Sequence, residues 1–317
     1  VISLVKHPLK YFNVYNMMMI IMLIMILKPN KYIVLSVYLI MKNFLFSFVI
    51  IAFFSAHIAE LNAQTYEDYV TLSFDYIEQD SLKKAEEAIK NALKLEPGNP
   101  GNGLLLGNLG TIQRRQGKTH EAEQSYTIGL GFIPDNLSLL NSRASLYAEM
   151  AEYDKAIDDY TSIIYQEAEN EDAYYQRALC RLMNSDTLGA RLDLEQIDKF
   201  NPQSAKSRLG MAYVYKAQRM WREASELYDA LIKRNPNSAS LYRERAEVFY
   251  LSSRMGAALA DIDKSISISP RDPYSYILRA QIRYARKDKE FARRDLNQAL
   301  ELGLPEAEAG DLIQKLK

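Results

Sequence analysis

The 34-residue stretch ASLYRERAEVFYLSSRMGAALADIDKSISISPRD, residues 239–272, decides the fold because its pattern recurs along the chain. Apolar residues at i, i+3 and i+4 spacing in both halves of the stretch predict two amphipathic helices. Ala246 in the first predicted helix and Ala258 in the second are small residues whose positions recur in the other repeats. Pro270 ends the second helix, and Asp272 is a good N-cap for the next one. The stretch therefore predicts a helical hairpin that ends where another begins.

The same helix stop and N-cap recur about every 34 residues. Proline recurs with gaps of 37, 68, 34 and 34 residues, at Pro97, Pro134, Pro202, Pro236 and Pro270, and Ala168 stands where a further proline would fall. An alanine recurs in step at Ala85, Ala122, Ala156, Ala190, Ala224, Ala258 and Ala292. Expected N-caps follow the stops at Asn99, Asn136, Asn170, Ser204, Ser238 and Asp272. A fixed period of this length indicates a solenoid of stacked repeats, here with one insertion at 100–102.

These residues give the chain a resemblance to the tetratricopeptide repeat family. That family has small residues at repeat positions 8 and 20, large residues at positions 4, 11 and 24, and proline at position 32. The resemblance implies an all-α, right-handed α-solenoid of seven helix–turn–helix repeats at 66–99, 103–136, 137–170, 171–204, 205–238, 239–272 and 273–306, with a capping helix at 307–317. The departures from the pattern are Gln113, Arg181 and Arg283 at position 11, Arg208 at position 4 and Ala168 at position 32.

Two positions vary together between the repeats. Position 7 is arginine and position 23 is aspartate in the same four repeats, which gives the pairs Arg143–Asp159, Arg177–Asp193, Arg245–Asp261 and Arg279–Asp295. In the other three repeats both charges are absent together, as at Met211 and Leu227. We therefore predict a structural ion pair between the two helices of each of the four repeats. Repeat five then carries an apolar replacement of both partners, which can be neutral for stability.

The segment MKNFLFSFVIIAFFSAHIAELNA, residues 41–63, has the composition of an export signal. A single lysine, Lys42, precedes the apolar run 44–56, and the segment ends in a small residue, Ala63. A short positive start, an apolar core of roughly 7–15 residues and a small residue at the cut are typical of secretory signal peptides. We therefore predict cleavage after Ala63 and export to a bacterial periplasm. An uncleaved anchor is the alternative, although a spanning helix needs about 20 apolar residues.

Residues 1–40 contain two further apolar runs, at 17–27 and 32–41, and no acidic residue. Ile, Met, Leu, Tyr, Asn and Lys dominate them. We interpret this extension as translated upstream sequence, with Met41 as the start. The alternative is a membrane hairpin or one long tilted span. In that case the protein is a membrane-anchored assembly factor that faces the periplasm and meets the membrane only through residues 1–56.

Composition gives little support for an enzyme or a nucleic-acid-binding protein. The 317 residues carry 39 basic and 40 acidic side chains, a net charge of −1, so no basic surface is indicated. One cysteine, Cys180, cannot form an intrachain disulfide or a thiolate metal cluster. Behind residue 63 there is one histidine, His120. We expect no cofactor, no metal, no nucleic acid and no catalytic residue, and an enzyme or enzyme subunit is the least favoured alternative.

A protein-binding surface is the function that remains. In the family that this chain resembles, first-helix positions 2, 5, 9 and 12 line the concave face. The candidate apolar residues there are Tyr175, Leu179, Leu182, Leu209, Tyr213, Tyr250, Tyr274 and Ile277, and the candidate polar residues are Lys216, Arg243 and Glu247. A contiguous set of exposed apolar residues indicates a partner surface, although several of these residues would also pack on the neighbouring repeat. We expect a non-enzymatic exported scaffold that binds a protein or peptide.

The resemblance also allows a test for capture of chaperone C-termini. The chaperone-binding members of the family hold a terminal carboxylate with lysine, asparagine and arginine at fixed positions of three successive repeats. The first three repeats of this chain supply Asn108 alone from that set, with Val70, Phe74, Ser138 and Ser142 at the other positions. The resemblance therefore implies no carboxylate clamp in these repeats.

Overall fold

The structure, a computed structural model, describes residues 64–316 and Lys42. The predicted extension at 1–40 and the predicted signal peptide at 41–63 lie outside the described residues, apart from Lys42. Within the described part, no helix is both long and apolar enough to cross a membrane.

Fifteen α-helices and no strand form the regular structure of residues 64–316. They are α1 (Tyr66–Glu78), α2 (Leu82–Leu95), α3 (Asn102–Arg115), α4 (Thr119–Phe132), α5 (Leu137–Glu149), α6 (Tyr153–Gln166), α7 (Glu171–Met183), α8 (Thr187–Phe200), α9 (Ala205–Ala217), α10 (Trp221–Arg234), α11 (Ala239–Leu251), α12 (Met255–Ile268), α13 (Pro273–Ala285), α14 (Lys289–Glu301) and α15 (Glu306–Leu316). From α2 onward each helix packs on the next, and the first helices of successive repeats also meet, at α3–α5, α7–α9 and α11–α13. The prediction of an all-α solenoid is confirmed.

Small residues allow the two helices of each repeat to approach closely. All seven alanines of the 34-residue ladder, at position 20, have no exposed surface, and the position-8 residues that face them are equally buried. At position 8 of the second repeat, a Cβ added to Gly110 would lie 2.7 Å from Cε1 of Tyr126, inside contact distance. The large position-24 side chains fill the space beside this contact, among them Tyr126, Tyr160 and Leu194, which are buried. Each repeat therefore contributes one small-residue contact and one large position-24 side chain to the hydrophobic core.

The predicted N-caps explain where most first helices begin. The side chains of Asn136, Asn170, Ser204 and Asp272 each accept a hydrogen bond from a backbone N–H of the helix that follows. Ser238 does not, and its hydroxyl lies 3.1 Å from the hydroxyl of Ser240 instead. The side chain of Asn99 accepts from the N–H of Gly101, ahead of a helix that begins at Asn102, so the insertion moves this cap away from the helix.

Every turn between paired helices contains one residue in the left-handed region, at repeat position 15. Six of the seven are not glycine: Asp80, Ala151, Ser185, Arg219, Ser253 and Lys287, with φ between 54° and 67°, and the seventh is Gly117. The next residue donates its N–H back to the carbonyl of position 11, as from Glu152 to Tyr147 at 2.8 Å. This backbone pattern ends a helix with a left-handed residue, for which glycine is the usual choice.

Replacing the exposed Ala151 by glycine should therefore stabilise the protein. A left-handed non-glycine residue costs about 1–2 kcal/mol, whereas glycine loses about 0.5–1 kcal/mol more chain entropy on folding. We expect Ala151→Gly to raise the free energy of unfolding by roughly 0.5–1 kcal/mol, measured by urea denaturation. The matched control Ala148→Gly, inside α5, should lower it by about 1 kcal/mol. A loss of stability in Ala151→Gly would contradict this reading of the turn.

The four position-7 arginines lie against the four position-23 aspartates. In each pair the guanidinium donates two parallel hydrogen bonds to the carboxylate, for example from Nε and Nη2 of Arg177 to Asp193 at 3.0 and 2.6 Å. The equivalent distances are 2.8 and 2.7 Å for Arg143, and 2.9 and 2.7 Å for Arg279. Bidentate pairs of this kind are strong and geometrically specific.

Each of these arginines also contacts the preceding repeat. Its Nη1 donates to the residue at position 25 there, which is Thr127, Thr161, Asp229 or Asp263. Arginine at position 11 adds a further bond, because Arg181 and Arg283 reach Asp193 and Asp295 at 2.8 and 2.7 Å. The four ion pairs therefore join the two helices of a repeat and fasten that repeat to its predecessor.

Repeats without the arginine use other contacts. In the second repeat, the hydroxyl of Ser125 donates to Gln113 at 2.7 Å, and Glu86 of the first repeat accepts from Lys118 and Gln116. Burial alone would raise the pKa of Glu86, but the hydrogen bonds from Lys118 and Lys90 outweigh it and lower the pKa to about 2. In the fifth repeat Met211 and Leu227 pack against the core on either side. The junction between repeats four and five thus lacks the arginine contact.

A double-mutant cycle measures the pair Arg177–Asp193. Arg177→Met leaves the carboxylate of Asp193 buried with Arg181 alone, so we expect each single variant to lose about 3–5 kcal/mol of unfolding free energy. The double variant with Asp193→Leu reproduces the pair found in repeat five and should lose less than either single variant, so the coupling energy should be at least as large as one single loss, about 3–5 kcal/mol. The exposed pair Arg191–Glu195 serves as control, with coupling below about 0.5 kcal/mol. Additive losses at Arg177 and Asp193 would refute the coupling.

Candidate partner-binding face

The predicted binding residues lie on the first helices of repeats four to seven. Tyr175, Leu179 and Leu182 lie on α7; Leu209, Tyr213 and Lys216 on α9; Arg243, Glu247 and Tyr250 on α11; Tyr274 and Ile277 on α13. All are half-buried except Tyr274, which is 47% exposed, and Ile277, which is 8% exposed. We call the ten accessible residues the first-helix face.

Ile277 does not belong to this face, contrary to the sequence-based expectation. Its side chain is buried in the cluster that contains Ala292, Leu296 and Leu304, because position 5 of α13 faces the second helix and the C-terminal helix α15. Tyr175 and Leu182 also rest on a core cluster, the one around Leu194, while part of each side chain stays accessible. Most apolar residues of the face are therefore held in place by the core beneath them.

Lys216 is the centre of the polar contacts on the face. Its ammonium donates to the carboxylates of Glu244 and Glu247 at 3.1 and 2.8 Å and lies 5.3 Å from the ring centroid of Tyr213. Burial alone would lower the pKa of Lys216, but the two carboxylates outweigh it and raise the pKa above the usual range. The fifth and sixth repeats are thus joined across the face by a lysine between two acids.

Arg243 makes a second polar contact at the next junction. Its Nη1 donates to the carboxylate of Asp272 at 2.6 Å, and its guanidinium lies 5.8 Å from the ring centroid of Tyr274. Asp272 is also the N-cap of α13, since it accepts from the N–H of Tyr274 and the hydroxyl of Ser275. Burial would raise the pKa of Asp272, whereas Ser275 and Arg243 lower it. The carboxylate of Asp272 is therefore both the N-cap of α13 and the partner of Arg243 on the first-helix face.

Three tyrosines surround the acids of this region. Burial, followed by the negative charge of Glu244, raises the pKa of Tyr175, Tyr213 and Tyr228. Tyr228 is the position-24 core residue of the fifth repeat and has no exposed surface. Its hydroxyl has no hydrogen-bond partner among the described residues. Phenols in this environment stay neutral, so they offer rings and hydroxyl groups and no charge.

The other position-24 tyrosines show why Tyr228 differs. In repeats two and three the hydroxyl of Tyr126 or Tyr160 meets a hydroxyl at position 9, Thr111 at 3.1 Å or Ser145 at 3.3 Å. In repeat five position 9 is Tyr213, a residue of the first-helix face. A buried hydroxyl without a partner costs about 1–3 kcal/mol, so this exchange is unfavourable for the fold alone.

Residues with catalytic potential do not converge anywhere in residues 64–316. Cys180 is buried, and burial raises the pKa of its thiol to about 11, which keeps it unreactive. His120 is exposed at the start of α4. Among the described residues, no group of three or more His, Cys, Asp or Glu side chains is placed to hold a metal ion. The glycines at 103, 107 and 110 lie within α3, so they form no phosphate-binding loop.

Two residues of the site were missing from the sequence-based set. Glu244 lies at repeat position 6, one helical turn before Glu247, and reaches Lys216 of the preceding repeat. Tyr228 lies at position 24, where the repeat pattern predicts a large core residue. For Tyr228, the signal in the sequence is the tyrosine at position 9 of the same repeat. The repeats that contain the other two position-24 tyrosines have threonine or serine at position 9.

Comparison with known proteins gives consistent matches to one repeat family. Sequence models described as tetratricopeptide repeat match residues 209–275 and 105–133. The crystal structure of a tetratricopeptide repeat protein from Parabacteroides merdae is 35% identical in sequence, with a TM-score of 0.75, and the match covers 80% of this chain and 99% of that one.

Similar curated proteins are much longer than the match. The Hsp70-Hsp90 organizing protein of Triticum aestivum is 26% identical over 208 residues, which is 54% of this chain and 36% of that protein. Hsp70-Hsp90 organizing protein 3 of Arabidopsis thaliana is 22% identical over 228 residues, which is 60% of this chain and 41% of that protein. The chain therefore spans about two fifths or less of the length of these relatives.

Proposed function

The chain belongs to the tetratricopeptide repeat family, and on that premise we propose that it is a non-enzymatic scaffold whose first-helix face binds an extended segment of a partner protein. Proteins of this family mediate protein–protein interactions. The observation that carries the proposal is the first-helix face itself, where partly accessible tyrosines and leucines from the first helices of consecutive repeats rest on a buried core. A contiguous apolar surface with a few polar groups is the usual character of such binding sites.

The residue types on the face suit anchoring of a partner. Tyrosine and arginine are enriched among residues that dominate binding energy, and Tyr175, Tyr213, Tyr250, Tyr274 and Arg243 lie here. Their side chains are already ordered by the core or by ion pairs, so little conformational entropy is lost when a partner binds. The fold supplies a pre-formed surface.

The chaperones in the names of the curated relatives do not identify the partner of this chain. Those proteins are named as organizers of Hsp70 and Hsp90, and the match spans two fifths or less of their length. The residues expected for a carboxylate clamp are absent from the first three repeats, apart from Asn108. We therefore propose recognition by apolar contact and side-chain chemistry within the bound segment.

The proposed location is the bacterial periplasm, after removal of residues 41–63. The composition of that segment supports it, and anchoring to the inner membrane through residues 1–56 is the alternative. Under the first proposal, fractionation places the protein in the periplasmic fraction, and mass spectrometry finds Gln64 as the mature N-terminus. Recovery in the membrane fraction with residues 1–56 intact would instead establish the anchored assembly factor.

Site-specific photo-crosslinking tests the binding face in cells. We expect benzoylphenylalanine in place of Tyr213 or Tyr250 to form a covalent adduct with a partner on irradiation, because both side chains lie on the first-helix face. Tyr165 is the matched control: it is 91% exposed, but it belongs to the second helix of its repeat, α6. Adducts are read as mass-shifted bands and identified by mass spectrometry. Equal labelling from Tyr165, or none from the face, would contradict the proposed site.

A further inference from the structure

We propose that the region between α7, α9 and α11 receives an arginine side chain of the bound segment, with Glu244, Glu247, Tyr213 and Tyr228 as its contacts. This assignment rests on the proposed function and names the chemistry that the face recognises. It is independent of the terminal carboxylate that other members of the family bind, since the charge selected here is positive.

Charge is the first argument. Two carboxylates, Glu244 and Glu247, face a single ammonium, Lys216, so one negative charge remains uncompensated. The nearest further cation on the face, Arg243, is held by Asp272. The side chains of Glu244 and Lys216 are 18% and 22% exposed, so their interaction is only weakly screened by solvent, whereas the carboxylate of Glu247, 39% exposed, is screened more strongly. A positively charged side chain of a partner neutralises the remaining negative charge, whereas an anionic group would add to it.

The aromatic rings are the second argument. Tyr213 already has a cation at 5.3 Å from its ring centroid, which shows that the ring is placed to stabilise positive charge. Tyr175, on the neighbouring α7, is half-buried and close enough to Glu244 for that carboxylate to raise the pKa of its phenol. A flat guanidinium stacks on such rings better than the compact ammonium of lysine does.

The unpartnered hydroxyl of Tyr228 is the third argument and points to arginine in particular. This hydroxyl is buried beside Tyr213 and feels the charges of Glu244 and Glu247. It can accept a hydrogen bond that no described side chain donates. Arginine carries five N–H donors in a fixed plane, enough for two carboxylates and one hydroxyl, whereas lysine has three on one nitrogen.

Lys216 therefore competes with the partner's arginine for the same two carboxylates. In the free protein it compensates one of the two negative charges, and the partner's arginine has to share the two carboxylates with it. Its removal should therefore strengthen binding of an arginine-containing segment. Removal of the acids should abolish the preference for arginine without affecting the apolar contacts of the face.

The test uses the full-length chain and a positional-scanning library of dodecapeptides, followed by fluorescence polarisation. We expect the selected peptides to carry arginine at one fixed position. Replacing it by citrulline, which has the same shape without the charge, should weaken binding at least tenfold, and lysine should weaken it at least threefold. In Glu244→Gln/Glu247→Gln the arginine and citrulline peptides should bind within twofold of each other. The control Glu195→Gln, on α8 outside the face, should keep the wild-type ratio.

Two further variants guard against a merely structural effect. Lys216→Met should bind the arginine peptide severalfold more tightly than the wild type and leave the citrulline peptide unchanged. Tyr228→Phe removes an unsatisfied hydroxyl, so it should raise the thermal midpoint while reducing the arginine-to-citrulline ratio severalfold. A Tyr228→Phe protein that is stabilised but keeps the full ratio would remove Tyr228 from the site and overturn the choice of arginine over lysine.

The outcomes separate this assignment from the proposed function. Selected peptides without a basic residue, equal binding of arginine and citrulline, or an unchanged ratio in the glutamine variant would overturn the arginine site while the binding face stands. Equal binding of lysine would overturn arginine as the ligand. If no peptide binds but the face still forms photo-adducts, the arginine assignment fails alone. If neither is seen, both proposals fail.

Discussion

The contact between small residues at positions 8 and 20 is the constraint on which the rest of the structure depends. Position 24 then faces a gap of fixed size, which a leucine, isoleucine or tyrosine fills. A larger residue at position 8 or 20 would separate the helices and change the angle passed on to every later repeat. Local packing of this kind propagates along a solenoid, since each repeat contacts only its neighbours.

Ion pairs add contacts of defined geometry to this packing. Each position-7 arginine binds the aspartate of its own repeat and a side chain of the preceding one, so it ties local pairing to stacking. At the junction of repeats four and five the arginine is replaced by Met211, which packs against the core, and other polar contacts cross that point, among them a hydrogen bond from the hydroxyl of Ser207 to the carbonyl of Leu194 at 3.2 Å. This junction also separates Tyr175 from Tyr213 on the first-helix face.

The sequence predicts those features that recur with the period, and it misses those that do not. The alanine ladder, the caps and the residues of the four ion pairs could be read directly from the 34-residue spacing. The second partner of each arginine could not, because position 25 is threonine in repeats two and three and aspartate in repeats five and six. The left-handed turn residue also escaped detection, because only Gly117 among seven carries the usual signal. Ile277 shows the opposite error: a repeat position predicts a face, but α15 packs behind the last repeat and draws that side chain into the core.

Departures from the repeat pattern accumulate in the fifth repeat, and this asymmetry favours function over stability there. Met211 and Leu227 replace the ion pair, and Tyr213 leaves the hydroxyl of Tyr228 without the partner that its counterparts in repeats two and three have. Natural sequences are mostly consistent between local pattern and fold, and they break this consistency at functional sites. A scaffold selected only for stacking would keep serine or threonine at position 9. Tyrosine at this position, next to a lysine shared by two acids, is better explained by what the first-helix face binds than by what the fold requires.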